Sequence, residues 1–86
     1  NAIGCRVQVE KMISTGRIDM VAETPTFIYV MELKLSNNGG LAAAEKQIKA
    51  NKYTEPFKGD KRKVIALAVE LDCDGKGLVD WKEVKE

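Results

Sequence analysis

The hydrophobic positions fall first into an alternating pattern. In "CRVQVEKMI", Val7 and Val9 alternate with Arg6, Gln8 and Glu10, the period of two expected of a half-buried strand. "STGR" supplies a turn. "RIDMVAE" resumes the alternation, which predicts Ile18, Met20 and Ala22 on one face and Arg17, Asp19 and Val21 on the other. A second turn, "TPT", carries Pro25, which has no N–H to give a central ladder. "FIYVMELKL" is apolar on both faces up to Met31, as a strand in the middle of a sheet should be. Past "SNNGG" the period changes: Leu41, Ala44 and Ile48 in "LAAAEKQIKANK" take helical spacing in an Ala-rich segment. After the loop "YTEPFKGD", the short β-branched run in "KRKVIALAVELD" suits a buried strand, and "DGKG" turns into a short final strand, "LVDWKEV". The predicted order is three strands, helix, strand, strand. This is an α/β fold: an antiparallel meander, a crossover helix, and a fourth strand returning parallel beside the third.

The pattern leaves Asp19, Glu32 and Lys34 unexplained. Charged side chains are rarely buried without a partner, and Asp is depleted in strands. If Pro25 and Thr26 form the hairpin loop, Thr24 faces Phe27, and stepping back along the ladder sets Asp19 opposite Glu32. Like charges facing each other across a sheet are destabilising. A divalent cation would reverse that sign, because Mg²⁺ takes hard oxygen ligands from one or two carboxylates. Lys34 lies two residues beyond Glu32 on the same face and projects to the same place. The plainer alternative is an ion-paired trio at a sheet end.

Composition narrows the chemistry. Eighty-six residues predict one domain, 1–86, near the size at which a single core is only just sufficient. With no His in the chain, the common zinc sites, His-based nucleophile systems and His acid–base catalysis are excluded, which leaves carboxylates, Lys, Tyr or a hard metal. Cys5 and Cys73 lie far apart and outside metal spacing, and read as reduced, partly buried thiols of a cytoplasmic protein. No signal pattern or membrane-length apolar run is present, and a start at Asn1 suggests a piece of a longer chain. Net charge is +1, but residues 46–63 carry +5, against −1 before them and −3 after. That stretch, with Lys46, Lys49 and Lys52 on the predicted helix, is either a phosphate-facing surface or an ordinary solvated one.

Asp19, twelve intervening residues, then "ELK" at 32–34 resembles the signature of the PD-(D/E)XK nuclease superfamily: Asp on the second core strand and Glu-x-Lys on the third. The flanking text, "GRIDMVAETPTFIYVMELKL", "AEKQIKANKYTEPF", "KRKVIALAVEL" and "VDWKEV", looks like the bacterial branch in which this domain lies C-terminal to an AAA-type ATPase-like domain. The resemblance implies a restriction-endonuclease-like mixed sheet with helices on both faces and Mg²⁺- or Mn²⁺-dependent hydrolysis of nucleic-acid phosphodiesters, DNA foremost. It also implies the roles of single residues. Asp19, Glu32 and the Leu33 carbonyl would hold the metal; Lys34 would orient water or stabilise charge on phosphate; Gln47 would polarise the water or contact the scissile strand. Related nucleases place a Tyr four residues after this Gln, whereas Tyr53 follows by six, so Tyr53 is not carried over. The helix that usually precedes the first strand, often with a further Glu, is missing. An apolar sheet face left open by that loss would favour self-association. The non-catalytic alternative is a nucleic-acid- or protein-binding module of the same fold.

A rival motif overlays the C-terminal part. In "DCDGKGLVDWKE", Asp72, Asp74, Gly77, Val79, Asp80 and Glu83 fall at calcium-loop positions. Lys76 stands where an oxygen ligand belongs, too few residues follow for an exiting helix, and no partner hand is present. A Gly-rich hairpin turn is the preferred reading.

Overall fold

Thr24 sets the register of the sheet. Its N–H donates to the Phe27 carbonyl at 2.8 Å, and the Phe27 N–H returns to Thr24 Oγ1 at 2.8 Å, closing a tight turn around Pro25 and Thr26. The molecule is a computed structural model that describes residues 4–13, 16–72, 74 and 77–85. Its elements are β1 (Arg6–Ile13), β2 (Gly16–Glu23), β3 (Phe27–Leu35), α1 (Gly40–Asn51), β4 (Lys63–Asp72) and β5 (Gly77–Val84), with 3-10 turns at Ser36–Asn38 and Glu55–Phe57. The five strands lie in the order of the chain. β3 and β4 are parallel, and the remaining neighbours are antiparallel. This is the mixed restriction-endonuclease-like sheet, with one α-helix among the described residues.

The core lies between α1 and one sheet face. Ile28 and Val30 of β3, Val21 of β2, and Ala66 and Ala68 of β4 meet Ala44 and Ile48 of the helix. Alanine on both sides of this contact lets the helix lie close to β4. The register places Val30 beside Ala66 and Glu32 beside Ala68, so both of these β3 side chains have a small neighbour. Arg62 ties the entry of β4 to the hairpin through Glu23 at 3.0 Å and the Thr24 carbonyl at 3.3 Å, while Asp60 holds its guanidinium at 2.9 Å.

The other face carries Met20, Tyr29, Met31, Leu67 and Val69 half-buried, and leaves Val7 58%, Val9 61% and Trp81 57% exposed. β1 is therefore largely exposed rather than half-buried, because it lies at the sheet edge with its apolar side on the open face. Helices cover one face, not both, among the described residues. A second departure is local: Ile18 and Val21 belong to the same buried cluster, although strict alternation puts them on opposite faces. The pairing lapses at Asp19 between them, which frees the chain to turn Ile18 inward. Residues 64–71, which a calcium-binding loop needs as an entering helix, form part of β4, and Val79, Asp80 and Glu83 lie in β5. Strands on both sides rule the helix–loop–helix out. Cys5 is exposed rather than partly buried, and Cys73 lies outside the described residues. No helix among the described residues is long and apolar enough to cross a membrane.

The N-terminus of α1 has no cap from its own segment. Glu70 of β4 supplies one: its Oε1 accepts the Leu41 N–H at 3.0 Å, and its Oε2 accepts from Ser36 Oγ at 2.6 Å. Gly40 allows this approach, since it stands at φ 57° and a Cβ there would lie 2.8 Å from the carboxylate. Glu70→Ala is expected to cost about 1–2 kcal/mol. The check is a lower urea midpoint at unchanged slope; an unmoved midpoint would show that solvent caps the helix equally well.

Candidate active site

The β2–β3 ladder runs from Glu23 and Ile28 to Met20 and Met31 and stops one step short of Asp19 and Glu32. On the other side of β2, Val9 pairs Met20 and Lys11 pairs Ile18, passing over Glu10 and Asp19. Asp19 is thus where pairing lapses on both edges of β2. The register is the one the hairpin predicts, but the strands part where two carboxylates would have met. Asp19 fills the gap with its side chain: Oδ2 accepts the Leu33 N–H at 3.0 Å. In an extended strand a residue's N–H and C=O lie toward the same edge, so the Leu33 carbonyl is turned to the same opening.

Glu32 is 1% exposed and is the one charged side chain buried among the described residues. Its Oε1 is hydrogen-bonded to the hydroxyl of Tyr53, itself fully buried. The same hydroxyl donates to the Arg17 carbonyl at 2.7 Å and accepts from Gln47 Nε2 at 3.1 Å. A phenol has one proton, and here two acceptors compete for it. When Glu32 is protonated it can donate to the phenol, which then serves Arg17, and every group is satisfied. Tyr53 is the site residue that sequence reasoning set aside. Six residues apart on one helix would place it about 120° around the axis from Gln47. α1 ends at Asn51, however, and Lys52 takes the left-handed conformation at φ 49°, its N–H returning to the Ile48 and Lys49 carbonyls. The reversed chain brings Tyr53 back beside Gln47. A Lys-Tyr pair at the end of an amphipathic pattern was the available signal, but it does not announce a left-handed cap.

Each carboxylate therefore has one oxygen fixed by the protein and one that faces a cation. Glu32 Oε2 lies 3.5 Å from Lys34 Nζ, and Asp19 Oδ1 lies 3.6 Å from Arg17 Nη2. Burial pushes the Glu32 carboxyl above its ordinary 4.5, and the charge of Asp19 adds to the rise; the Tyr53 hydrogen bond and Lys34 oppose it without cancelling it. The oxygens beside the cations are hard donors already drawing positive charge, which fits Mg²⁺ or Mn²⁺. The side-chain set is two carboxylates: no group of three or more His, Cys, Asp or Glu suited to a metal occurs among the described residues.

α1 has two unlike flanks. Gln47 faces Tyr53 and the carboxylates, whereas Glu45 faces β5, where Lys82 meets it at 3.0 Å and Lys49 at 3.3 Å. Lys46 is exposed. Lys49 and Lys52 line a cavity of about 610 Å³ with Thr54, Glu55 and Lys85. The structure thus gathers Asp19, Glu32, Lys34, Gln47 and the Leu33 backbone in one place, and sets Lys49 and Lys52 along a separate cavity.

Residues 2–81 match the family model of the PD-(D/E)XK nuclease superfamily. The chain belongs to that superfamily. No curated protein matches the chain. Within the superfamily's sheet, the parting of the second and third strands is what converts the sequence motif into a cluster of side chains here.

A carboxyl raised by burial has a stability consequence with a definite sign. The folded state binds the Glu32 proton more tightly than the unfolded chain, so the Glu32 contribution to stability is complete below about 4.5 and is lost as pH rises through the higher folded value. Glu32→Gln keeps the hydrogen bonds without the charge. It is expected to raise the melting temperature of the metal-free protein at pH 7.5, with the gain disappearing near pH 4; a lower melting temperature at pH 7.5 would contradict the assigned burial cost.

Proposed function

We propose that this chain is a metal-dependent nuclease domain that hydrolyses phosphodiester bonds of nucleic acid, with DNA as the substrate class. The observation that carries the reading is the convergence of Asp19, Glu32 and Lys34 where β2 and β3 separate, each carboxylate keeping one oxygen beside a cation. Asp19, Glu32 and the Leu33 carbonyl would hold Mg²⁺ or Mn²⁺, which when bound supplies Lewis-acid activation of water and phosphate. Lys34 stands at the mouth of the site, its head able to orient a water or to balance charge developing on the phosphate. Gln47 has committed its amide N–H to Tyr53, so its carbonyl oxygen is available to accept from the attacking water. Tyr53 fixes the inner oxygen of Glu32 and acts as a positioning residue. The branch resemblance further supports a place beside an ATPase-like domain in a longer protein.

A second reading, a binding module without catalysis, is favoured by the small ligand set of two carboxylates. Cleavage of plasmid and single-stranded DNA under millimolar Mg²⁺ or Mn²⁺ separates the two. Asp19→Asn, Glu32→Gln and Lys34→Ala should each lower cleavage by about a hundredfold or more. Cleavage that survives Glu32→Ala would refute the assigned site. DNA binding without cleavage in either metal would establish the binding module.

Lys46, Lys49 and Lys52 are proposed to meet the nucleic-acid backbone away from the cleaved bond, since Lys49 and Gln47 lie on opposite flanks of α1. Replacing Lys49 and Lys52 with Gln should weaken DNA binding and reduce the slope of log affinity against log salt by up to about 2. Unchanged affinity and slope would assign these lysines to an ordinary solvated surface.

A further inference from the structure

The two cations at the site differ in kind. Lys34 belongs to the Glu-x-Lys motif, whereas Arg17 has no place in it, yet Arg17 stands at the Asp19 oxygen that a metal would use. Its Nη2 lies 3.6 Å from Oδ1, beyond hydrogen-bond range, so the contact is an ion pair without a directional bond. Its Nη1 makes the firmer contact, a 3.3 Å hydrogen bond to Glu10 Oε1. Glu10 in turn is a non-glycine residue held at φ 57° in the middle of β1, directly across from Asp19 in the register and skipped by the ladder. A left-handed residue inside a strand is rare, and strained backbone of this kind clusters at functional positions. The strain and the ion pair coincide at Asp19.

We infer that Arg17 is a displaceable counter-ion for the metal position: without metal its guanidinium bridges Asp19 Oδ1 and Glu10, and an arriving divalent cation drives it off Asp19 and leaves it on Glu10 alone. The inference rests on the metal-site reading above. A guanidinium and a divalent cation cannot share Oδ1 without strong repulsion, and Glu10 offers the guanidinium a carboxylate to keep. Metal affinity is then set by a competition. Removing Arg17 removes the competitor; removing Glu10 removes the competitor's alternative partner and leaves Arg17 on Asp19.

The test is calorimetric titration of Mn²⁺ into the full 86-residue chain and its variants. Arg17→Gln should bind about two- to fivefold tighter than the parent chain, and Glu10→Gln weaker by a similar factor. The double variant decides between contact and field. If the two residues act on the metal independently through their charges, the opposite effects cancel and the double variant returns to parental affinity. If Glu10 acts by holding Arg17, the double variant binds as tightly as Arg17→Gln. The tightening should also persist at 0.5 M salt, where exposed charges are screened beyond about 4–5 Å. Equal or weaker Mn²⁺ binding by Arg17→Gln, or a double variant at parental affinity, overturns the inference while leaving the metal site standing. Mn²⁺ binding that is absent from the parent, or that Asp19→Asn does not reduce, overturns the metal-site reading and this inference with it. Arg17 is half-exposed, and an unchanged melting temperature of the metal-free variant shows that the fold is intact.

Discussion

The structure depends on a buried carboxyl held by a buried phenol. Glu32 lies under α1 on the face that should be wholly apolar, and without a partner its desolvation would exceed what this small core supplies. Tyr53 provides that partner, and three elements are tied together through its hydroxyl: β3 by Glu32, β2 by the Arg17 carbonyl, and α1 by Gln47. The left-handed turn at Lys52 exists in this light for a reason. It returns the chain beneath the helix it has just left, where Tyr53 reaches Glu32.

Asp19 solves a different problem by different means. A continuous β2–β3 ladder would press it against Glu32, so the ladder stops, and a side-chain oxygen takes the Leu33 N–H that a backbone carbonyl would have taken. The hydrogen bond is conserved in number while the strands separate. The ladder to β1 also skips Asp19, and there Glu10 adopts its left-handed backbone. Local rules of strand geometry are broken at several points around Asp19, which is the pattern expected where a fold accommodates chemistry.

Much of this was legible in the chain. The period-two runs, the helical spacing of Leu41, Ala44 and Ile48, and the Thr-Pro-Thr turn are enough to give the strand order, the parallel return and the register that aligns Asp19 with Glu32. What the chain concealed depends on cooperation between distant segments. The alternation through Ile18 assumes an unbroken strand, and the break at Asp19 comes from a charge on the neighbouring strand. The role of Tyr53 assumes helical spacing beyond a helix that has ended. The cap at Leu41 comes from Glu70, a residue of β4 that no local capping pattern near Gly40 would suggest.

Glu70 also bears on how Lys34 comes to lie beside Glu32. Glu70 and Lys34 are paired in the β3–β4 register and face the same side, so an available Glu70 carboxylate would draw the ammonium along the sheet and away from Glu32. The Glu70 carboxylate is turned instead to the helix N-terminus and Ser36, and Lys34 lies 3.5 Å from Glu32. The neighbouring pair, Glu32 and Ala68, works in the same direction: a methyl group opposite the carboxyl leaves it nothing to bond on β4, so its polar atoms turn toward Tyr53 and Lys34. β4 carries none of the motif residues. It borders two of them, with Ala68 small beside Glu32 and Glu70 turned to the helix N-terminus beside Lys34.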